Sequence, residues 1–144
     1  MRNAKVAALW ILFASSAVLL GADAKNAPRT NEIVRLQGRV SQVTGPGTNL
    51  VFKADSGTSF KLQRNPMAEA LFLDTNLWSK VLLLTGKPHD KSFEVTGNLH
   101  SIKNGKVHEL FYYCDVCSIS TSLPGLCQCC REPVVLTEKP AANY

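Results

Sequence analysis

Charged side chains make up only 19% of this 144-residue chain, and aromatic ones only 8%. A formal net charge of +5 is too mild to mark a strongly basic surface for nucleic acid or anionic lipid. Four thiolates on one divalent ion would lower it further. The one long apolar run, residues 6–20, is interrupted by Ser15 and Ser16 and falls short of the roughly 20 residues that cross a bilayer. There is no glycine-rich phosphate loop, no local Ser/His/Asp signature and no pair of carboxylates at a useful spacing. Covalent haem attachment is also excluded, because Ser118 stands where a Cys-x-x-Cys-His motif needs its histidine.

The amino-terminal segment has its own logic. Arg2 and Lys5 precede the apolar run, and Ala22-Asp23-Ala24 follows it with two small residues around a cleavage point. This is the plan of a secretory signal peptide, expected over residues 1–24. An uncleaved membrane anchor is the lesser alternative. No cysteine near the cleavage point supports lipid attachment. The protein is therefore expected to be exported, to the periplasm or the extracellular space, with no stable transmembrane span after cleavage. Residues 25–144 are long enough for one domain with a short appendage and too short for two.

Residues 25–31 have no apolar period and are expected to be a flexible lead-in. Val34, Leu36, Gly38 and Val40 then alternate with Arg35, Gln37, Arg39 and Ser41, which predicts a half-buried strand. Residues 50–54 and 59–62 predict two more strands, joined by the turn Asp55-Ser56-Gly57-Thr58. Asn65-Pro66 predicts a helix start, with Asn65 as cap and Met67, Ala70 and Leu71 on one apolar side. Residues 81–85 form a near-continuous apolar run suited to a strand buried on both faces, with Gly86 and Pro88 marking its end. Phe93, Val95, Gly97 and Leu99 alternate as a fifth strand. The Asn104-Gly105 turn predicts a hairpin returning through residues 107–113 into Cys114.

Three strands, a short helix and two or three further strands resemble the OB-fold, a small Greek-key barrel. The stretches "LQGRV", "VLLLTGK" and "FEVTGNLHSIKNGK" carry that resemblance. It implies a mainly β chain: an OB-like barrel of five or six strands with one short helix over residues 32–113. A cysteine-rich ribbon at 114–138 and a flexible tail at 139–144 would follow.

All five cysteines lie between positions 114 and 130. Cys114 and Cys117 form one Cys-x-x-Cys hook, and Cys127 and Cys130 form a second, with Cys129 inside it. Each hook lets two sulfurs from one tight turn reach a common ion. "CDVC" and "CQCC" resemble the two knuckles of a zinc ribbon, with Leu123-Pro124-Gly125 turning the chain between them. That resemblance implies a structural Zn²⁺ held by Cys114, Cys117, Cys127 and Cys130, with Cys129 as an alternative ligand. Export argues instead for a pair of disulfides, and a reactive thiol–disulfide pair is a third reading.

His89 is expected to be a solvated loop residue. His100 and His108 flank the Asn-Gly turn and could approach each other as a second metal site, although ordinary surface positions are the favoured reading. Phe52 and Phe60 share phase with Leu50 and Leu62, which places them inside. Without outward aromatics, the basic residues Arg35, Arg39, Lys53 and Lys61 make nucleic acid an unfavoured partner. Tyr112 and Tyr113 fall on opposite faces, one of them packing under the knuckle, and Phe111 and Trp78 are further contact candidates. A resemblance in architecture to the periplasmic haem chaperone of cytochrome maturation stops there, because no histidine with a nearby tyrosine occurs in the tail. The expected function is an exported, non-enzymatic binding or accessory module of the cell envelope, acting on an envelope protein or a small ligand. An envelope thiol redox or metal-handling protein is the alternative.

Overall fold

The computed structural model describes residues 32–43 and 49–142. The expected signal peptide and lead-in lie outside the described residues. Six strands and two short helical turns build the first part: β1 (Val34–Val43), β2 (Asn49–Ala54), β3 (Ser59–Leu62), α1 (Glu69–Leu73), a 3-10 turn (Thr75–Ser79), β4 (Val81–His89), β5 (Ser92–Val95) and β6 (His100–Lys103). β1 pairs antiparallel with β2 through its second half and with β4 through its first half. β2 pairs with β3, β3 runs parallel to β5, and β5 pairs with β4. The circuit β1-β2-β3-β5-β4-β1 is therefore a closed five-stranded barrel of the OB-like kind, with α1 between β3 and β4.

Alternation explains why the barrel fills. Leu50, Phe52, Phe60, Leu62, Leu82, Leu84, Phe93 and Val95 all point inward and are buried. The Phe93 ring lies 6.4 Å from that of Phe52 and 5.8 Å from that of Phe60. Such aromatic pairs contribute about 0.5–1.5 kcal/mol each beyond their burial. Arg35, Arg39, Lys53 and Lys61 sit on the outside.

Closure depends on two glycines. Gly38 is the residue at which β1 passes from β2 to β4, since it pairs with both Ala54 and Leu82. A Cβ there would fall 2.1 Å from the carbonyl oxygen of Lys53. Gly86 plays the same part in β4, pairing with Val34 and Val95, and its Cβ would fall 2.1 Å from the carbonyl oxygen of Glu94. Backbones approach this closely only where no side chain intervenes.

Several sequence expectations need correction. β4 does not end at Gly86 but continues through Pro88 to His89. The ladder with β1 stops at Gly86, so the missing N–H of Pro88 faces an edge that needs no donor. Only one face of β4 is fully buried; the other is half-covered. The expected fifth strand is broken into β5 and β6, because the Thr96 and Gly97 amides both donate to Thr85 O, at 2.9 and 3.2 Å, as a bulge does. The helix begins later than expected, at Glu69, after a turn in which the Asn65 side chain accepts from the Ala68 amide at 2.9 Å. Met67 is 47% exposed instead of facing the core.

The rest of the chain extends the sheet. β7 (Lys106–Cys114) pairs with β6 across the Asn104-Gly105 turn, with β8 (Ile119–Thr121), and along its other edge with β9 (Val135–Pro140). Asn104 and Gly105 have φ of 52° and 72°, as a tight hairpin turn requires. Lys139 and Pro140, expected in a flexible tail, are part of β9. Two polar ties fasten this sheet to the helical layer. The Tyr112 hydroxyl donates to Asp74 Oδ2 at 2.8 Å, and Asp74 also accepts from the Asn76 amide at 2.9 Å. Burial, then the Asp74 carboxylate, pushes the Tyr112 hydroxyl well above the usual phenol range. Glu138 pairs with Lys80 and lies 3.7 Å from Lys103 Nζ.

Two outcomes follow. Gly38→Val destabilises the protein by about 3 kcal/mol or more in urea unfolding, through overpacking at a backbone crossing, whereas Ser41→Val on the exposed face changes little. The Lys80 hydrogen bond holds the Glu138 carboxyl below its ordinary value of 4.5, so the pair stabilises above that value and is lost as pH falls through the lowered one. Glu138→Gln therefore costs about 2 kcal/mol at pH 7. Unfolding measured across pH shows the gap between wild type and variant constant above about pH 5 and shrinking below it.

Candidate metal centre

Both cysteine hooks are built by the same local device. β7 delivers Cys114 at its last position, and the Ser118 amide closes the first turn by donating to Cys114 O at 2.8 Å. In the second turn the Arg131 amide donates to Cys127 O at 3.0 Å. Ser118 and Arg131, each the residue after the second cysteine of its hook, have φ of 55° and 66°. A left-handed conformation costs a non-glycine residue about 1–2 kcal/mol. Its recurrence at equivalent positions shows that both turns are held to one geometry by their surroundings. Around the second hook, the Cys127 amide donates to Glu132 O at 2.7 Å, and Leu126 bridges to Pro133. The Val134 amide reaches Gly125 O at 3.0 Å, and the chain then enters β9.

The two hooks face each other. The Sγ atoms of Cys114, Cys117, Cys127 and Cys130 all lie within 4.8 Å of one another. A tetrahedron with 2.3 Å metal–sulfur bonds has edges of about 3.8 Å, so the four sulfurs are spaced to surround one ion. The Cys114 and Cys130 sulfurs are 3.4 Å apart, well beyond the roughly 2.05 Å of a disulfide bond. Cys114 and Cys127 are buried, and Cys117 and Cys130 are half-buried. Four protein donors fill a tetrahedral shell and leave no position for a substrate.

The backbone also prepares these sulfurs for charge. Amides of Cys130 and Cys129 donate to the Cys127 sulfur and hold that thiol down at about 7. The amides of Cys117 and Val116 act on Cys114 in the same way, but burial and the thiols of Cys130 and Cys127 outweigh them and leave Cys114 raised. Cys117 is pushed up by side-chain hydrogen bonds with Cys129 and Cys130, then by burial. A cation among these sulfurs would stabilise all four as thiolates.

The remaining sequence candidates are scattered. Cys129 is exposed and stands outside the group of four. His100 and His108 do not meet: the register pairs His100 with Glu109 and Ser101 with His108, so the two imidazoles point to opposite faces. His100 is 5% exposed and not at the surface, because β6 is a middle strand between β4 and β7. His89 ends β4 with Nε2 3.3 Å from Glu94 Oε2. Tyr112 is buried on the Cys114 side of the sheet, whereas Tyr113 is half-exposed on the other. The Trp78 indole donates to Leu71 O at 2.8 Å and packs on the core. Sequence reasoning missed Ser118 and Arg131, since neither is a glycine. Their identical place after each hook was the available signal.

A cobalt(II) titration read by thiolate charge-transfer absorption is expected to end at one equivalent per chain for wild type and for Cys129→Ser. Cys127→Ser, which removes a buried donor, is expected to lose that end point.

Comparisons with known protein families, with curated proteins and with solved structures return no match for this chain. What can be said of its chemistry rests on its own residues: a small β-barrel domain carrying a cysteine-based site able to hold a metal ion.

Proposed function

We propose that the chain is an exported, non-enzymatic binding or accessory module of the cell envelope, with a C-terminal sheet locked by a structural Zn²⁺ on Cys114, Cys117, Cys127 and Cys130. The observation that carries this reading is the convergence of four sulfurs from two separate turns. All-thiolate tetrahedral sets favour zinc over the hard cations, and a filled shell suits a structural role better than a catalytic one. Export rests on Arg2, Lys5, the apolar run and the Ala22-Asp23-Ala24 sequence. A bound ion also answers the difficulty that export raises, since coordinated and buried thiolates are poor partners for oxidants.

A second reading has one observation in its favour. Cys129 is exposed and lies near enough to Cys117, a ligand in the structural reading, to push that thiol up. An envelope redox or metal-handling protein would use such a thiol.

Native mass spectrometry of the exported protein, purified without chelator, tests both parts of the proposal. The expected mass is that of a chain beginning at Lys25 with one zinc. A metal-free mass reduced by two disulfides contradicts the structural site, and a chain retaining residues 1–24 contradicts cleavage. A glutathione redox series separates the second reading, because a reactive pair titrates near the potential of its compartment and a zinc-bound cluster does not.

A further inference from the structure

A cavity of about 550 Å³ lies between the helical layer of the barrel and the C-terminal sheet, and no cysteine lines it. Met67, Leu77 and Leu99 form the wall on the barrel side, and Leu110, Tyr112 and Leu136 form the wall on the sheet side. This size and this apolar lining are those of a binding cleft. Met67 now has a reason to be exposed in a position that the helical period assigned to the core.

The lip of the cleft is a strand edge. Ser120, Thr121 and Ser122 line it, the first two belonging to β8. β8 is the last strand of its sheet path and, among the described residues, pairs only with β7. On β7 the Leu110 amide points toward the β6 and β8 side, where it donates to Leu99 O at 3.0 Å. By alternation Tyr112 and Cys114 point the same way, toward their partners Thr121 and Ile119. Ser120, between those two partners, therefore turns its own N–H and C=O away from β7, to the open edge. The ladder along this side of β7 is also interrupted, since the β6 pairing ends at Glu109 and the β8 pairing starts at Tyr112.

Charge narrows the occupant. Glu109 and Lys139 also border the cleft, but they pair across β7 and β9, and alternation puts their side chains on the face of the sheet opposite Leu110, Tyr112 and Leu136. Among the described lining residues the walls formed by Met67, Leu77, Leu99, Leu110, Tyr112 and Leu136 carry no charged side chain, so the cleft selects neither an anion nor a cation. An open strand edge beside an apolar cleft matches the main chain and the side chains of an extended peptide.

We propose that this cleft binds a short extended peptide segment with apolar side chains and no net charge, its main chain pairing with the β8 edge at Ser120. This gives the binding-module reading its ligand class and rests on that reading, but not on which metal fills the cysteine site.

The test uses the full exported chain, with amides and methyl groups observed by NMR, and blocked Ac-Val-Thr-Val-Thr-Val-NH2 as the probe. Saturable shifts at the amides of Ser120 to Ser122 and the methyls of Leu110 and Leu136 are expected. Replacing both threonines of the probe by proline, which removes the edge donors, is expected to weaken binding at least tenfold. Met67→Glu, at an exposed position that tolerates charge, is expected to do the same. No shift at millimolar peptide, shifts away from the cleft, or equal binding of the proline probe each overturns the proposal. A neutral detergent that shifts the cleft where the peptide does not also overturns it, by showing a site for amphiphiles. Zinc content measured on the same samples keeps the two readings apart. One zinc without peptide binding removes the cleft proposal alone, and no zinc removes the structural reading beneath it.

Discussion

The C-terminal third of this protein has little to bury, and what organises it is the crowding of four sulfurs into a space that one ion would fill. Val116, Ile119, Leu123, Leu126 and Val135 are all exposed, so apolar packing does not close the two hooks against each other. Backbone bonds shape each turn, and they do so symmetrically, but among the described residues no ladder joins one hook to the other except through β7 and β9. A cation among these sulfurs would tie the two hooks together by four strong bonds. In comparable small sites such binding contributes on the order of 10 kcal/mol to folding. β8 and the start of β9 flank this group of sulfurs.

The barrel is a different kind of construction, held by apolar burial and by two backbone crossings at Gly38 and Gly86. It connects to the metal centre through one strand. β7 leaves the barrel at the Asn104-Gly105 hairpin, passes Tyr112 with its tie to Asp74, and ends at Cys114. Glu138 on the returning β9 reaches Lys80, just before β4 begins.

Much of the barrel was legible from residue order because alternation is a local property. The inward phase of Phe52 and Phe60 and the Asn104-Gly105 turn needed no knowledge of the rest of the chain. The cysteine hooks were legible for a similar reason, since a ligand pair three residues apart declares itself by spacing. The continuation of β4 through Pro88 was not, because whether a missing N–H matters depends on where the neighbouring ladder stops. The inclusion of Lys139 and Pro140 in β9 depends in the same way on β7 offering a free edge. Long-range pairing also decided His100 and His108, whose spacing suggested a meeting that the register forbids. The left-handed residues Ser118 and Arg131 stayed hidden behind side chains that seldom adopt that conformation.

The claim on which most depends is that a single ion sits among four thiolates. X-ray absorption at the zinc edge of the purified protein measures that directly. One shell of four sulfur neighbours at about 2.3 Å is the expected result. A shell containing nitrogen or oxygen neighbours, or a protein whose sulfur is found in S–S bonds of about 2.05 Å, would contradict it.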